Sequence, residues 1–406
     1  MNILIVSNKV PYPLHDGGAI ATFSLLKAYE ELGHNVSVLA MSTKKHPVQV
    51  EDIPSELKKN IKWFIHDVPA PITAKGAFIN LFFSSLPYNA ARFLDYNFAC
   101  RLQKILEENS FDIVQFEGLY VCHYVELVRH KSNAKVIYRA HNVESEIWRR
   151  RLKQAKGLEK LYIFLMLGRL KKFEKSYANR FNGILPISER DSLYWQRTYL
   201  DKSPHKVTPT GISPMKNAKK STAVRALFHL GALDWHPNIE GLRWFFKECW
   251  PQIVEACPDV VFHIAGRNGD KKLLDELSMY RNVELHGEVD DASSFMSNHG
   301  IMLVPLLSGG GMRIKIVEGL SLACPIISTS IGAEGIDVKN DVHLNIANHP
   351  EEFIATTIEL LNNNGKAKLL GEAGQEWVEN ELDNLKIAEN VIQFYEKGLN
   401  FEGQWS

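Results

Sequence analysis

The sequence lacks the hallmarks of several protein classes. It holds 47 Lys and Arg against 47 Asp and Glu, so its zero net charge gives no general attraction to nucleic acid. The five cysteines are scattered and odd in number, without CxxC spacing, which argues against a disulfide framework or a thiolate metal site. No apolar run is as long as a membrane span, and we see no signal peptide before the first strand. We therefore expect a cytoplasmic protein.

What the sequence does contain is typical of a soluble globular protein with two domains. Its 406 residues are too many for one core, and 45% of them are hydrophobic. A polar stretch over residues 213–224 has the composition of a linker. We expect an N-terminal domain over residues 1–212 and a second domain over 225–383. The remaining residues, 384–406, should form a C-terminal helix that packs back on the first domain.

Short apolar runs alternate with helical patterns in both halves of the chain. The first run, Asn2–Val6, leads into a helix through Leu25, Leu26 and Tyr29, and Val36–Ala40 forms the next strand. Such βα alternation predicts a doubly wound parallel sheet in each half, with ligands at the carboxyl ends of the strands. Two such Rossmann-like domains should face a central cleft. The GxGxxG pattern of nicotinamide-binding domains is absent, so we do not expect that cofactor.

The stretch around which the second half is organised runs from Val304 to Leu320. A buried strand is followed by the triplet Gly309-Gly310-Gly311 and then by a helix with Ile316, Val317 and Leu320 on its apolar stripe. A glycine loop before a helix N-terminus is suited to an anion, because free N–H groups and the helix dipole point into it. Arg313 and Lys315 add two cations there. Arg313 and Glu318 lie off the stripe, so we expect their substitution to change stability little.

Three further segments are informative. The apolar helix over residues 77–86 contains Phe78, Phe82 and Phe83 and is most simply a core helix. His141 follows a predicted strand, at the edge where such sheets keep their chemistry. Residues 149–175 hold ten Lys or Arg against two Glu. This basic stretch is either core-packed helices with solvated outer faces or a cationic, apolar surface that contacts an anionic membrane.

The chain resembles the retaining family 4 glycosyltransferases of the GT-B fold over nearly its whole length. The most specific segment is VPLLSGGGMRIKIVEGLSLACPIISTSIGAEGI, which is similar to the donor-site pattern of two glutamates separated by seven residues. HKVTPTGIS resembles the interdomain segment, with Thr210 in place of Asn. VELHGEVDD resembles the strand and loop beside the nucleotide base, and YRAHNVESEIW resembles the acceptor-side strand with its histidine.

Two departures from the family pattern are visible. The first glutamate of the donor-site pattern is replaced by Gly310, and the usual Arg and Lys after the first strand of the second domain are missing after Gly231. A departing nucleoside diphosphate still needs cations as its negative charge builds up. Arg313 and Lys315 are placed to supply them, the former bidentately and the latter as a point charge.

The resemblance implies a nucleotide-sugar-dependent hexosyltransferase that retains the anomeric configuration, without a cofactor or metal. Glu318 would bind the ribose hydroxyls, and the glycine triplet with Arg313 and Lys315 would hold the diphosphate. Gly287 and Val289 would lie beside the base, and His141 near the donor sugar. The diphosphate or acceptor side would include Gly17, Gly18 and Glu117. The acceptor would be a saccharide or a lipid-linked sugar in surface polysaccharide synthesis, with the protein peripheral on the inner face of the cell membrane.

Three other functions stay open at this point. A GT-B nucleotide-sugar 2-epimerase shares the fold, a GT-B scaffold without catalysis is compatible with Gly310, and an NAD enzyme is the least favoured. Glu318 could also be simply a surface partner of Lys315. We find no DxD motif and no His/Cys/Asp cluster that indicates a metal.

Overall fold

Strands and helices follow one another as the apolar periodicity predicts. The computed structural model describes residues 1–14, 16–212, 225–309 and 312–399. The first part of the chain contains β1 Asn2–Ser7, α1 Gly17–Glu31, β2 Asn35–Ser42, α2 Ser55–Asn60, β3 Ile61–Asp67, α3 Ala74–Phe83, α4 Tyr88–Ala91, α5 Tyr96–Glu108, β4 Ile113–Glu117, α6 Val125–Lys131, β5 Lys135–Ala140, α7 Glu144–Gln154, α8 Gly157–Tyr177, β6 Gly183–Pro186 and α9 Glu189–Thr198. Two 3₁₀ turns, Val50–Asp52 and Leu119–Tyr124, lie between them.

The later part repeats the βα alternation and ends in helices. It contains β7 Ala226–Leu230, α10 His236–Glu248, α11 Trp250–Ala256, β8 Val261–Ala265, α12 Lys271–Ser278, β9 Val283–Gly287, α13 Ala292–Asn298, β10 Ile301–Val304, α14 Ile314–Ser321, β11 Ile326–Ser328, β12 Asn345–Ile346, α15 Pro350–Asn362, α16 Asn364–Glu381 and α17 Asn384–Gln393. A π-helical turn, Phe394–Gly398, follows α17. The helix predicted after the glycine triplet is confirmed as α14.

The chain divides into two compact units. The first unit comprises Met1–Gly211 and the segment from Asn384 onward, and the second comprises Ile212–Asp383. In the first unit the strand order is β3-β2-β1-β4-β5-β6, and in the second it is β12-β11-β10-β7-β8-β9. All the pairings between these strands are parallel. The predicted doubly wound parallel sheet in each half is thus confirmed. The predicted linker, 213–224, lies outside the described residues.

Large aromatic side chains fill one core in each unit. The first core contains Phe98, Phe116, Tyr138 and Trp195, all essentially inaccessible to solvent. The second is built from Phe245, Phe246, Trp250 and Phe262 around β8 and α10. Each sheet is therefore held rigidly at its centre, while the loops after the strands remain available for function.

The apolar helix α3 is not a core helix. Phe78, Phe82 and Phe83 are 64%, 64% and 85% exposed, and of α3 only Asn80 is buried. The prediction was wrong because apolar composition sets the propensity of a segment for burial but does not show whether a partner covers it. Of the described residues, no helix combines the length and apolarity that crossing a bilayer requires.

Candidate active site

His141 and Glu117 form a hydrogen-bonded pair at the carboxyl ends of adjacent strands β5 and β4 in the first unit. The His141 Nε2 and Glu117 Oε2 atoms are 2.6 Å apart. Burial opposes ionisation of Glu117, but the Arg139 guanidinium and His141 outweigh it and lower the pKa of Glu117 to about 2. The carboxylate is therefore an acceptor, and His141 donates from Nε2. This leaves Nδ1 of a 17% exposed imidazole as the atom that can face a substrate.

A chain of buried hydrogen bonds holds Glu117 from behind. Gln115 donates from Nε2 to Glu117 Oε1, and Thr22 donates to Oε2 at 2.9 Å. The amide oxygen of Gln115 in turn accepts from the hydroxyls of Tyr29 at 3.1 Å and Tyr395 at 2.5 Å. Helix α1 supplies Thr22 and Tyr29, and the C-terminal segment supplies Tyr395. Side chains from three separate parts of the chain thus fix the carboxylate that orients His141.

Gly17 and Gly18 begin helix α1, immediately after the loop that follows β1. Asp16 caps this helix by accepting from the Ala19 N–H at 2.9 Å and pairs with Lys9. The Lys9 ammonium leaves little room above Gly18, since a Cβ there would come within 2.9 Å of Nζ. A cavity of about 410 Å³ beside this loop is lined by Lys9, Asp16 and Lys45, among others. It is large enough for a sugar and offers charges of both signs.

In the second unit, Arg313 lies at the N-cap of α14 and is 7% exposed. Its guanidinium carbon is 5.1 Å from the ring centroid of Trp235, which gives a cation–π contact. The expectation that substituting Arg313 changes stability little rested on its position off the helix stripe, but that position does not expose it. Gly309 adopts φ of +113°, and a Cβ at that residue would lie 2.6 Å from Arg313 Nη2. The positive φ favours glycine there, and a Cβ would require the Arg313 guanidinium to shift. Gly310 and Gly311 lie outside the described residues.

Lys315 reaches back from α14 to the loop that follows β7. Its Nζ donates to the Leu230 carbonyl at 3.0 Å and to Asn238 Oδ1 at 3.2 Å. Gly231 makes room for the ammonium, because a Cβ there would stand 3.1 Å from Nζ. Burial and the neighbouring Arg313 charge lower the pKa of Lys315 to about 7. The Lys315 amine thus lies at the end of β7, although the sequence immediately after Gly231 supplies no Lys or Arg.

Glu318 lies on α14 but does not pair with Lys315, whose ammonium bonds to Leu230 and Asn238 instead. The alternative that Glu318 is a surface partner of Lys315 is therefore wrong. Glu318 is half-buried, and burial raises the pKa of its carboxyl above the usual value. Burial thus disfavours the ionised form of Glu318. Such a carboxylate is suited to accept hydrogen bonds from hydroxyl groups of a ligand.

Gly287 and Val289 lie at the end of β9 and in the loop that follows it. Gly287 is exposed, and its carbonyl accepts from the Gly266 N–H at 2.7 Å; Val289 is half-buried. Gly287 is thus accessible to a ligand, and Val289 partly so. The second unit thus brings Gly309, Arg313 and Lys315 together. Gly309 lies next to the Arg313 guanidinium, and the charge of Arg313 lowers the pKa of Lys315.

Sequence reasoning missed three participants of these sites. Arg139 balances the charge of Glu117, Trp235 packs on Arg313, and Asn238 binds Lys315. The alternating pattern of β5 places Arg139 on the same side of the strand as His141, which was a signal available in the sequence. Trp235 and Asn238 had no comparable signal, because their partners lie more than 70 residues away.

Comparison with known proteins identifies the family. A model described as Glycosyltransferase Family 4 matches residues 15–216, and one described as Glycosyl transferases group 1 matches residues 224–363. A curated relative, an uncharacterized 44.6 kDa protein in the cps region of Klebsiella pneumoniae, is 23% identical over 404 residues, covering 96% of this chain and 99% of its own.

Solved structures share the fold at low sequence identity. Sucrose-phosphate synthase from Thermosynechococcus elongatus superposes with a TM-score of 0.70 at 13% identity, covering 98% of this chain and 99% of its own. TarM of S. aureus, in a complex with fondaparinux, alpha-GlcNAc-glycerol and UDP, gives 0.69 at 13% identity over 98% of this chain and 100% of its own. With matched models over both units, the chain belongs to the group 1, family 4 glycosyltransferases and has the GT-B fold.

Proposed function

We propose that the protein transfers a hexose from a nucleoside diphosphate sugar to a saccharide or lipid-linked acceptor, with retention at the anomeric carbon. The observation that carries this proposal is the position of Lys315, whose ammonium lies at the end of β7 beside Asn238. The carboxyl ends of parallel strands are where such sheets bind nucleotides. Lys315 and Arg313 thereby replace the cations that the sequence lacks after Gly231.

The chemistry requires such cations. When the bond between the anomeric carbon and the diphosphate oxygen breaks, its electron pair remains on the diphosphate, and negative charge grows there. Fixed cations stabilise that charge more in the transition state than in the bound donor, which raises the rate. Arg313 is preorganised by its contact with Trp235, and Lys315 by two hydrogen bonds. No divalent metal is needed in this scheme.

The remaining groups of the second unit would recognise the nucleoside. Glu318 accepts the ribose hydroxyls, and the exposed backbone at Gly287 and Val289 contacts the base. The N–H group of Gly309 would approach the phosphates. The lowered pKa of Lys315 supports this assignment, because a bound diphosphate would restore the favourable environment that the ammonium lacks in the free protein.

The first unit would supply the group closest to the donor sugar. His141, held by Glu117, presents Nδ1 to a sugar hydroxyl, and Gly17 and Gly18 let the backbone approach the diphosphate or the acceptor. The relative from a cps region and the saccharides bound to TarM support a role in surface glycan synthesis and an acceptor that is itself a saccharide.

The surface of the first unit supports a lipid-linked acceptor. On α8, Leu158, Leu161 and Phe164 are 86%, 57% and 62% exposed, although the opposite side of the helix packs on the core. Arg169 of α8 donates to the Asn80 and Leu81 carbonyls of α3, so the exposed Phe78, Phe82 and Phe83 of α3 adjoin this helix. Exposed lysines lie on α8 and at its N-cap, among them Lys156, Lys160, Lys171 and Lys172. Exposed apolar side chains and lysines on the same helix match an anionic bilayer surface, which we propose as the occupant.

Vesicle sedimentation tests the membrane contact. The protein should sediment with anionic vesicles at low salt and dissociate near 1 M salt, where the screening length is about 3 Å. Exchange of Phe82 and Phe83 for Ser should weaken binding, while exchange of the exposed Leu369 in the second unit for Ser should not. Equal binding to neutral vesicles, or binding to neither kind, would contradict the proposal.

A donor panel tests the reaction itself. The purified protein would be titrated with UDP-, GDP- and dTDP-sugars by calorimetry, and the bound donor would then be incubated with saccharide and lipid-linked acceptors. Transfer with the α or β configuration of the donor preserved supports the proposal. Free UDP without any acceptor product would indicate an epimerase, and nucleotide binding without turnover would indicate a scaffold.

A further inference from the structure

Three histidines of the second unit, distant in sequence, converge at the outer edge of its sheet. They are His263 in β8, His286 in β9 and His299 after α13, and one ligand nitrogen of each lies within 4.8 Å of the other two. His263 Nδ1 and His286 Nε2 are 3.0 Å apart. Glu284 brings a carboxylate oxygen to 3.2 Å from the same His263 nitrogen. These residues, His263, Glu284, His286 and His299, are called the histidine cluster below.

The strand register builds this cluster. His263 is paired with Glu284 in the parallel ladder between β8 and β9, so their side chains share one face of the sheet. The ladder then shifts, because Ala265 pairs with Gly287 and not with His286. His286 is thus the extra residue of a bulge, a feature that re-aims side chains at sheet edges. Its imidazole lies against His263, with Nε2 3.0 Å from His263 Nδ1.

The orientation of His299 is also that of a metal ligand. Its Nδ1 lies 2.6 Å from the Phe295 carbonyl oxygen, which can only accept, so this nitrogen carries the proton. The lone pair is then on Nε2. Histidines that bind metals usually donate their other ring N–H to a carbonyl or carboxylate, which fixes the tautomer and the ring plane. The stacking of His299 on Phe295, with centroids 4.2 Å apart, holds the ring in place.

We infer that the histidine cluster binds a zinc ion. Three imidazoles and a carboxylate form the nitrogen and oxygen ligand set that zinc accepts in tetrahedral sites. Zn–N bonds of about 2.0–2.1 Å place neighbouring ligand nitrogens about 3.3 Å apart. The His263–His286 distance of 3.0 Å is already near this value. His286 and Glu284, exposed by 31% and 57%, can rotate to close the wider distances and give the ion a path from solvent.

The ion would have a structural role. β9 is an edge strand, held in the sheet by β8 alone among the described strands. Zinc would join β9 to β8 and to the end of α13, and it would fasten the bulge that precedes Gly287. With zinc bound, the ligand set of imidazoles and one carboxylate would carry one negative charge, from Glu284, which complements the charge of the ion. The inference rests on the geometry of the histidine cluster and not on the proposed reaction.

Zinc titration of chelator-treated protein without a histidine tag tests the inference. We expect one zinc ion per chain, with a Kd of about 1 μM or tighter. A hundredfold excess over Kd should raise the Tm of the zinc-binding unit by roughly 5–10 °C. Cobalt substitution should give visible d–d bands without a thiolate charge-transfer band. Such a charge-transfer band, or the absence of stoichiometric binding, would overturn the assignment.

Matched variants locate the ion. His286→Ala and His299→Ala should each weaken zinc binding at least tenfold and remove most of the Tm rise, while their Tm values in EDTA stay near the wild-type value if the fold is intact. Glu284→Gln should have a smaller effect of the same sign. His130→Ala, at an exposed histidine of the first unit, and Cys100→Ser, at an exposed thiol, should bind zinc like the wild type. Unchanged binding in His286→Ala and His299→Ala would show an adventitious ion only.

Discussion

His141 Nε2 lies 2.6 Å from Glu117 Oε2, and this contact determines which ring nitrogen of the histidine is free. An ionised carboxylate accepts only, so His141 must donate from Nε2 and keeps Nδ1 for the substrate side. Histidine has no such constraint when its partner can also donate. The identity of residue 117 therefore controls the chemistry of residue 141.

Replacing Glu117 by Gln should lower kcat more than it changes the KM for the donor. The amide can donate to His141, which allows the wrong tautomer, and Arg139 loses its counter-charge. Steady-state kinetics measures this loss. Thr22→Val, which removes one bond to Glu117 and leaves its charge, should retain more activity than Glu117→Gln. Equal kcat in Glu117→Gln and the wild type would contradict the assignment of His141.

Glu117 should also make the protein acid-labile. Its folded pKa of about 2 lies below the ordinary 4.5, so its stabilisation is present above pH 4.5 and is lost as the pH falls towards 2. The pKa difference corresponds to about 3 kcal/mol in the free energy of unfolding. Urea unfolding between pH 5 and pH 2.5 measures it. Glu117→Gln should show a flatter acid limb, whereas Glu126→Gln, at the surface, should follow the wild type.

Arg313→Ala should reduce kcat by roughly a hundred- to a thousandfold, with a smaller change in donor affinity. The guanidinium is needed most when the diphosphate leaves. Because Arg313 is buried against Trp235, we also expect a lower Tm, and Arg313→Lys should restore charge but not the stacking. Kinetics and melting curves on both variants separate the effects. An active Arg313→Ala would exclude Arg313 from catalysis. Recovery of the Tm without recovery of activity in Arg313→Lys would indicate that the planar guanidinium, and not its charge alone, is needed for the reaction.

Glu318→Gln should mainly raise the KM for the donor. The amide keeps the shape of the side chain but weakens acceptance from ribose hydroxyls. Since burial raises the pKa of Glu318, the charged form is disfavoured by folding, and the neutral variant should be at least as stable at pH 8. Donor kinetics and thermal melting on the same sample check both statements. A large fall in Tm with unchanged KM would show that Glu318 is structural.

Donor binding should take up a proton at Lys315. With a pKa of about 7 in the free protein, most of these side chains are neutral at pH 7.5, and a bound diphosphate favours the ammonium. Calorimetry in buffers of different ionisation enthalpy should therefore give roughly half a proton or more absorbed per nucleotide. Lys315→Met should abolish the uptake and weaken binding. A buffer-independent enthalpy in the wild type would refute this assignment.

Turnover should be nearly unchanged by excess EDTA, because Arg313 and Lys315 supply the cations. Chelation should at the same time remove the Tm contribution of the histidine cluster, so rates are compared at a temperature well below unfolding. His286→Ala, which lacks one zinc ligand, is the control that separates the two effects. A loss of activity that Mg²⁺ or Mn²⁺ restores would contradict the roles of Arg313 and Lys315.

Local sequence patterns were sufficient to predict the order of strands and helices, but not the contacts between residues that are distant in sequence. The apolar run ending before Gly231 predicted β7 because buried parallel strands are short and apolar. Lys315 was identified as a cation of the donor site, but its contact with Leu230, 85 residues away, depends on how α14 packs. The histidine cluster escaped notice for the same reason: its members are spread over 37 residues and meet only through strand register and a bulge. Phe82 shows the opposite error: its apolar helix was predicted to lie in the core, but no neighbouring element among the described residues buries this side chain, which is 64% exposed.

The bond from Tyr395 to Gln115 has a consequence for the synthesis of the chain. During translation, residues 1–211 emerge first. The buried hydrogen-bond network that supports Glu117 through Gln115 nevertheless lacks the Tyr395 hydroxyl until the ribosome has passed residue 395. All of Ile212–Asp383 must leave the exit tunnel before that. The unit that starts to form first is thus completed last, and a nascent chain stalled between the two units would carry His141 on an unfinished support.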